Sequence, residues 1–250
     1  MNQNTSKDTV TRHFTDRAER YNKSSHWCTD PVLAERVLEL AAPKDTDQVL
    51  DVACGTGLVS RLFKGRTAKV TGLDLTRAMY EQARPHLDEL VAGSAEAMPF
   101  EDATFDLVVC RQGIQFMNDA AAVSEMARVT RPGGRVVLIH LCAYGESDRE
   151  EYFEILKQRN PARRNFYLRE DLAQLIANAG YRDVQVHDHI SPEDVDIWSD
   201  NGAIPEDNRE AIRQVYRNAS PAFQELHANS VTDSGRIIDN MLFGIGVGVR

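Results

Sequence analysis

The 250-residue sequence lacks any long hydrophobic run. No stretch approaches the roughly 18 consecutive apolar residues that a membrane-spanning helix requires. The first ten residues, MNQNTSKDTV, also lack the apolar core of a secretion signal. These two absences predict a protein that has no membrane segment and resides in the cytoplasm.

Positive charge and cysteine are both scarce. The 29 Lys and Arg residues are outnumbered by 38 Asp and Glu, which gives a net charge of -9. This charge repels a phosphate backbone and argues against a nucleic-acid partner. The four cysteines include no Cys-x-x-Cys pair, and Cys54 and Cys110 lie in or beside apolar runs. The sequence therefore predicts reduced thiols without a disulfide framework or zinc cluster, and we expect no bound metal.

What the sequence does contain is a regular alternation of short apolar runs and amphipathic segments between residues 48 and 141. Predicted strands occupy residues 48–53, 68–74, 89–92, 105–110 and 134–141. Predicted helices occupy residues 58–64, 77–84 and 120–129. Such alternation is typical of an α/β fold, a mostly parallel sheet with helices on both faces. Ligands bind such sheets at the carboxyl ends of the strands.

The flanking segments have mostly helical patterns. Helices are predicted at residues 9–22, 31–42, 147–165 and 169–178. A strand is predicted at residues 181–189, a polar helix-favouring region at 192–226 and a final strand within 236–249. The acidic cluster at residues 191–196 is interpreted as the solvated start of a helix.

We expect residues 1–250 to form one domain, because no internal repeat or low-complexity linker divides the chain. Residues 1–45 would form a helical lid and residues 46–142 the ligand-binding core. Residues 143–168 and 191–234 would be insertions at the ligand edge of the sheet, where they shape a substrate pocket.

The segment VLDVACGTG, residues 49–57, places two glycines where the first strand of the sheet turns into a helix. The missing side chains of Gly55 and Gly57 let a ligand approach the backbone N–H groups directly. A dinucleotide-binding fingerprint would need a third glycine where this chain has Ser60, and no phosphate-binding Gly-Lys-Ser or Gly-Lys-Thr is present. A nucleotide-like ligand and a purely structural corner both remain open at this point.

An acid ends the second predicted strand, in Gly72-Leu73-Asp74. A carboxylate at that position can accept hydrogen bonds from both hydroxyls of a ribose. The alternative is that Asp74 caps the helix that follows. The glycines on the neighbouring strand favour the ribose interpretation.

Four segments in this order and spacing resemble the motifs of class I S-adenosylmethionine-dependent methyltransferases: VLDVACGTG, GLDLTRAMYEQAR, GSAEAMPFEDATFDLVVCRQGIQFMND and RVTRPGGRVVL. The resemblance is strongest to the branch that includes the ubiquinone and menaquinone biosynthesis enzymes, and it extends to YLREDLAQLIANAGYRDVQV. It implies a Rossmann-like sheet of seven strands and transfer of a methyl group from S-adenosylmethionine to a small organic molecule.

The resemblance also implies a set of cofactor-binding positions: Asp51, Ala53, Gly55, Gly57, Asp74, Leu75, Ser94, Ala95, Glu96 and Arg111. The first four would surround the methionine part of the cofactor. Asp74 would hold the ribose hydroxyls, Leu75 would pack on the adenine and Arg111 would offer its backbone carbonyl to the ammonium group. The family usually has an acid where this chain has Ser94, so an uncharged hydroxyl would face the adenine amino group.

Methyl transfer requires alignment of the reacting atoms, and it requires a base only when the acceptor atom must lose a proton. His13, His26 and His140 are the candidate bases, although a histidine on a strand, such as His140, is more often a packed residue. Four residues are candidates for the substrate pocket: Tyr21, Trp27, Gln115 and Tyr144. Gln115 follows the fourth strand and could donate to a substrate or lie at the surface.

Two other functions remain open from the sequence. One is a relative of the same fold that uses a modified carrier or catalyses a reaction other than methylation. The other is a nucleoside-binding protein without turnover. The aromatic residues outside the motifs favour a ring-bearing or hydrophobic acceptor, and the sequence leaves the acceptor and the oligomeric state open.

Overall fold

One sheet of eight strands organises the chain, whose computed structural model describes residues 3–18 and 20–250. The strands are β1 Gln48–Val52, β2 Lys69–Asp74, β3 Glu89–Ala92, β4 Phe105–Arg111, β5 Thr130–Cys142, β6 Arg182–Asp194, β7 Ser230–Val231 and β8 Ile237–Val249. The helices are α1 Gln3–Arg17, α2 Pro31–Ala41, α3 Ser60–Phe63, α4 Arg77–Ala83, α5 Asp119–Val129, α6 Arg149–Arg159, α7 Arg169–Asn178, α8 Val195–Ser199, α9 Glu206–Arg217 and α10 Pro221–His227.

The strand order is β3-β2-β1-β4-β5-β8-β6, and the two-residue strand β7 pairs with β8. The five strands from β3 to β5 are parallel, whereas β8 runs antiparallel to β5, β6 and β7. The predicted α/β fold with a mostly parallel sheet is confirmed, with one short strand more than the seven expected.

Alternate residues of the central strands enter two separate apolar layers, one on each face of the sheet. Val49 belongs to one layer and the next residue, Leu50, to the other, and Leu107 and Val108 divide in the same way. Successive side chains of a strand point to opposite faces, so a strand buried on both sides is apolar throughout. This explains why these strands appear in the sequence as continuous apolar runs.

The prediction of a solvated helix start at residues 191–196 is wrong. Strand β6 continues to Asp194, and Ser191 and Glu193 within it are buried. The Glu193 carboxylate accepts hydrogen bonds from the backbone N–H groups of His26 and Trp27. These donors lie about 166 positions away in the sequence, so the acidic residues next to Glu193 do not indicate that it is buried. Helix α8 begins only at Val195, capped by the Asp194 side chain.

Two predicted helices end earlier in the structure than expected. Helix α1 ends at Arg17 and is followed by 3-10 turns at Tyr21–Lys23 and His26–Cys28, so the helix predicted at residues 9–22 breaks before its expected end. Helix α6 covers only 11 residues of the segment 147–165. Residues 1, 2 and 19 of the predicted lid lie outside the described residues.

All four cysteines are free and buried. Among the described residues, no helix is both long and apolar enough to cross a membrane. The same part of the chain holds no group of three or more His, Cys, Asp or Glu side chains arranged to bind a metal ion.

Candidate active site

A cleft opens at the carboxyl ends of the parallel strands, beside the point where the strand order reverses between β1 and β4. Its walls are formed by the segments that follow β1 to β4 and by helix α1, and its free volume is about 140 Å³. We call it the main cleft. Eight of the ten predicted cofactor positions line it: Ala53, Gly55, Asp74, Leu75, Ser94, Ala95, Glu96 and Arg111.

The Asp74 side chain connects two backbone segments of the main cleft by hydrogen bonds. Its Oδ2 accepts a hydrogen bond of 2.9 Å from the backbone N–H of Gly55, and its Oδ1 accepts one of 2.7 Å from the N–H of Thr76. Burial raises the pKa of this carboxyl, while the backbone N–H donors lower it. The N-cap residue of α4 is Thr76, and among the described residues no side chain caps the helix. Asp74 instead bonds the backbone just before α4 and lines the cleft.

The backbone of the main cleft is unusually shaped where β1 and β4 end. Ala53 and Gln112 adopt left-handed conformations, with φ of 55° and 53°, which are uncommon for non-glycine residues. A Cβ added to Gly113 would lie 2.7 Å from the Cβ of Ala53 and 2.9 Å from the Sγ of Cys110. The absent side chain thus keeps these two strand ends close together.

The side of the cleft formed after β2 and β3 has an apolar face and a polar rim. Leu75 lines it while remaining 45% exposed, so an apolar surface is available for a flat ring. Ser94 Oγ accepts a hydrogen bond of 3.3 Å from the backbone N–H of Glu96, whose carboxylate accepts one of 2.7 Å from Asn118. Together with Asp74, these features fit the adenosine part of the cofactor that the family resemblance implies.

Two predicted cofactor positions do not line the main cleft. Asp51 is buried on β1, and its carboxylate accepts a hydrogen bond of 2.5 Å from Ser60 Oγ. Burial raises its pKa to about 7. Gly57 faces α4, where an added Cβ would lie 3.1 Å from Ala83, so its missing side chain makes room for helix packing.

A second, smaller cavity adjoins the main cleft, and we call it the side cavity. Phe14, Tyr21, Gln112 and Phe116 line both. The free volume of the side cavity is about 20 Å³, enough for a small chemical group. Its remaining wall includes Arg17, Trp27, Gln115, Arg159, Arg163 and Trp198.

Hydrogen bonds connect the N-terminal segment, which lines both cavities, to the core. Arg111 Nη2 donates to the backbone carbonyl of Trp27 at 2.8 Å, and its guanidinium lies 4.5 Å from the centre of the Trp27 ring. Thr56 Oγ1 donates to Asn22, and Gln82 Nε2 donates to the carbonyl of Ala18. The segment expected to be a lid thus contacts the glycine turn and α4.

Three of the four candidate pocket residues line the side cavity. Tyr21 lines both cavities, and Trp27 and Gln115 line the side cavity. Tyr144 lines neither, because its hydroxyl donates to the carbonyl of Asn240 and its ring packs against His227. Tyr144, which follows β5, therefore packs against β8 and α10.

None of the three candidate histidines lines the main cleft or the side cavity. His13 is buried beside Arg17, and burial together with that arginine lowers its pKa to about 3. His26 is exposed. His140 is fully buried against the Tyr167 ring, and burial holds its pKa well below the ordinary value.

Sequence reasoning missed the arginines of the side cavity. Arg17, Arg159 and Arg163 lie in polar segments whose pattern indicates exposed surface, yet Arg17 and Arg159 are only 2% and 8% exposed. Arg17 on α1, Arg159 at the end of α6 and Arg163 just after it line the same cavity. No local sequence signal reports such a long-range contact.

Comparison with known proteins places this architecture among methyltransferases. A family described as a methyltransferase domain matches residues 50–138. The demethylmenaquinone methyltransferase of Renibacterium salmoninarum is 32% identical over 209 residues, which cover 71% of this chain and 85% of that protein. The malonyl-[acyl-carrier protein] O-methyltransferase of Pseudescherichia vulneris is 32% identical over 174 residues and is matched over 68% of both chains.

Other relatives match over different lengths. The chain spans about half the length of the malonyl-[acyl-carrier protein] O-methyltransferase of Erwinia pyrifoliae, which is 36% identical over 140 residues, 55% of this chain and 53% of that protein. The crystal structure of YcgJ from Bacillus subtilis superposes with a TM-score of 0.79 at 22% identity and covers 87% of this chain and 97% of that one. That structural likeness concerns the fold.

Proposed function

The chain belongs to the class I S-adenosylmethionine-dependent methyltransferases, and from this premise we propose that it methylates a small organic molecule. One observation carries the proposal: Ala53, Gly55, Asp74, Leu75 and Arg111 line a single cleft, and a second cavity opens beside it. Two adjoining spaces of different size suit a cofactor and one small group of an acceptor.

The residues of the main cleft are suited to hold the cofactor in parts. Asp74 would accept hydrogen bonds from the ribose hydroxyls, Leu75 would pack on the adenine, and the backbone at Ala53 and Gly55 would contact the methionine part. When bound, S-adenosylmethionine supplies a methyl group on a positively charged sulfur. Tyr21 and Phe116 line both spaces and would orient the acceptor toward the cleft while excluding water.

We further propose that the chain acts by alignment rather than through a histidine base. His13 has a pKa of about 3 because it is buried beside Arg17, which makes it a poor base at neutral pH. His26 is exposed, and His140 packs against Tyr167 away from both cavities. An acceptor atom that arrives without a proton to lose fits this arrangement.

The test combines cofactor binding with a search for the acceptor. Isothermal titration of the full chain with S-adenosylmethionine should give one saturable site. Incubation with candidate small molecules and isotopically labelled cofactor should then yield a product that gains one methyl group by mass spectrometry. Failure to bind the cofactor would refute the proposal, and binding without any methylated product would favour a nucleoside-binding role without turnover.

A further inference from the structure

The side cavity is lined by positive charge that lacks a negative partner. Arg17, Arg159 and Arg163 line it, and Arg111 lines the adjoining main cleft. In residues 8–18 and 20–250, whose side chains the structure describes, none of these four guanidinium groups forms an ion pair. Arg111, Arg159 and Arg163 instead donate to the backbone carbonyls of Trp27, Trp198 and Asn165.

Most unpartnered polar atoms around this cavity are donors. Within the part of the chain whose side chains are described, seven buried N–H groups have no hydrogen-bond acceptor: Arg17 Nε, Arg111 Nε, Arg163 Nη2, Gln112 Nε2, Asn160 Nδ2, Trp27 Nε1 and Trp198 Nε1. The Gln115 Oε1 is an unpartnered acceptor in the same wall. A buried donor without a partner costs free energy, so a ligand that brings several acceptor lone pairs would relieve that cost.

Burial of the guanidinium groups adds to this cost. It lowers the pKa of Arg159 to about 9 and that of Arg163 to about 10, which leaves both groups charged at neutral pH. A buried cation is stable when an anion lies beside it with good hydrogen-bond geometry. An anionic ligand would therefore bind more tightly here than its neutral counterpart.

The acids nearest to these arginines are already engaged. Glu193, whose charge acts on Arg159, accepts hydrogen bonds from the backbone of His26 and Trp27 and from the hydroxyl of Ser191. Asp51, whose charge acts on Arg111, is bonded to Ser60. Neither carboxylate enters the side cavity.

The size of the side cavity selects among anions. Its free volume of about 20 Å³ admits one small group and not a whole acceptor. A carboxylate is planar, matches the two parallel N–H groups of a guanidinium and is smaller than a phosphate. The rest of the acceptor would then lie between Tyr21 and Phe116, which also line the main cleft.

We propose that the side cavity binds a carboxylate of the acceptor, so that the substrates of this enzyme are small organic acids. This inference rests on the proposed function, because only a methyltransferase has an acceptor. The binding of acids, however, can be measured without turnover. The proposal narrows the class of acceptor expected from the sequence, which comprises ring-bearing or hydrophobic molecules. The acceptor now also carries an acidic group that enters the side cavity, while aromatic side chains flank the rest of the molecule.

The first experiment is calorimetry of the full chain saturated with S-adenosylhomocysteine. The probes are acetate, malonate and benzoate, each compared with its amide, together with phenyl phosphate. At least one acid should bind about tenfold or more tightly than its amide, the loss expected when a charge-assisted hydrogen bond becomes neutral. The inference is overturned if no acid exceeds its amide, or if phenyl phosphate binds and the carboxylates do not.

The second experiment uses variants. Arg163→Gln should weaken the best acid about tenfold while leaving the weaker binding of its amide and the affinity for S-adenosylhomocysteine unchanged. Arg159→Gln should do the same, although its contact with Trp198 makes thermal unfolding a necessary check of folding. The matched control is Arg217→Gln, which removes an exposed arginine paired with Glu210. Equal acid affinity in Arg163→Gln and the control would reject the assignment.

The two proposals can fail separately. If neutral molecules are methylated while acids neither bind nor inhibit, the methyltransferase function stands and only the carboxylate assignment falls. If no acceptor is methylated but an acid binds in an Arg163-dependent way, the cavity is a carboxylate site and the proposed reaction falls.

Discussion

Asp74 Oδ2 lies 2.9 Å from the backbone nitrogen of Gly55, so the tip of β2 is hydrogen-bonded to the turn that follows β1. The carboxylate also accepts from Thr76 at the start of α4. A carboxylate has about four acceptor positions, and these two bonds leave room for a ligand. The same side chain can therefore shape the cleft and also bind a ligand there.

This relationship predicts the behaviour of Asp74→Asn. The amide keeps the size and one acceptor oxygen but loses the charge, so the affinity for S-adenosylhomocysteine should fall about tenfold to a hundredfold. The free energy of unfolding should fall by about 1–3 kcal/mol, because the amide nitrogen cannot accept and one of the two backbone hydrogen bonds is lost. Titration calorimetry and urea unfolding measure the two effects. Asp45→Asn, at an exposed position, is the control, and equal affinities in the two variants would contradict the assignment.

Two glycines with nearly the same backbone conformation allow the cost of backbone strain to be measured separately from the cost of overpacking. Gly57 and Gly65 have φ of 79° and 78°, but an added Cβ lies 3.1 Å from Ala83 at Gly57 and meets nothing within 4 Å at Gly65. Both alanine variants should carry the strain of a left-handed residue, roughly 1 kcal/mol. Gly57→Ala should lose about 1–3 kcal/mol more through overpacking against α4. Urea unfolding of the two variants measures these losses of unfolding free energy. Equal losses would show that α4 shifts freely to accept the added methyl group.

The example of Gly57 shows what the sequence could and could not reveal. The alternation of apolar and amphipathic segments predicts the sheet, and the motif spacing brings Gly55 and Asp74 to one edge. Spacing alone does not say which side of a turn a residue faces, and Gly57 proves to contact α4. Arg17 and Arg159 are 142 positions apart in the sequence, and only the tertiary structure reveals that they line the same cavity.

A buried ion cluster joins the later helices to the sheet. His227 lies between Asp148 and Asp239, with N–O distances of 3.1 and 2.8 Å, and its ring stacks on Phe223. Burial lowers the pKa of this histidine, but the hydrogen bonds of the two carboxylates prevail and raise it to about 9. The imidazole is thus protonated at neutral pH and neutralises one of the two acids.

The cluster predicts a specific pH dependence of stability. Because the folded-state pKa of His227 exceeds its ordinary value of 6.5, its contribution is fully present below about pH 6.5 and is lost as the pH rises through about 9. The difference in unfolding free energy between the wild type and His227→Gln should shrink by roughly 1–3 kcal/mol between pH 6 and pH 10. Urea unfolding across this range measures it. His26→Gln, at an exposed histidine, is the control, and a constant difference for His227→Gln would contradict the assignment.

Substitution of Leu75 can show whether the adenine binds at this part of the main cleft. Its side chain lines the cleft and is 45% exposed, so Leu75→Ser should leave the free energy of unfolding nearly unchanged. Burial of an apolar surface by a ring contributes about 25 cal/mol per Å², so the affinity for S-adenosylhomocysteine should fall about threefold to tenfold.

Adenosine provides the decisive comparison for Leu75→Ser. Because adenosine shares the base and lacks the homocysteine part, calorimetry should show its affinity reduced by the same factor as that of S-adenosylhomocysteine. Val32→Ser is the matched control, since Val32 is 62% exposed and lies on α2, outside both cavities. A reduced affinity for S-adenosylhomocysteine with unchanged adenosine binding would place the amino-acid part of the cofactor, and not the base, against Leu75.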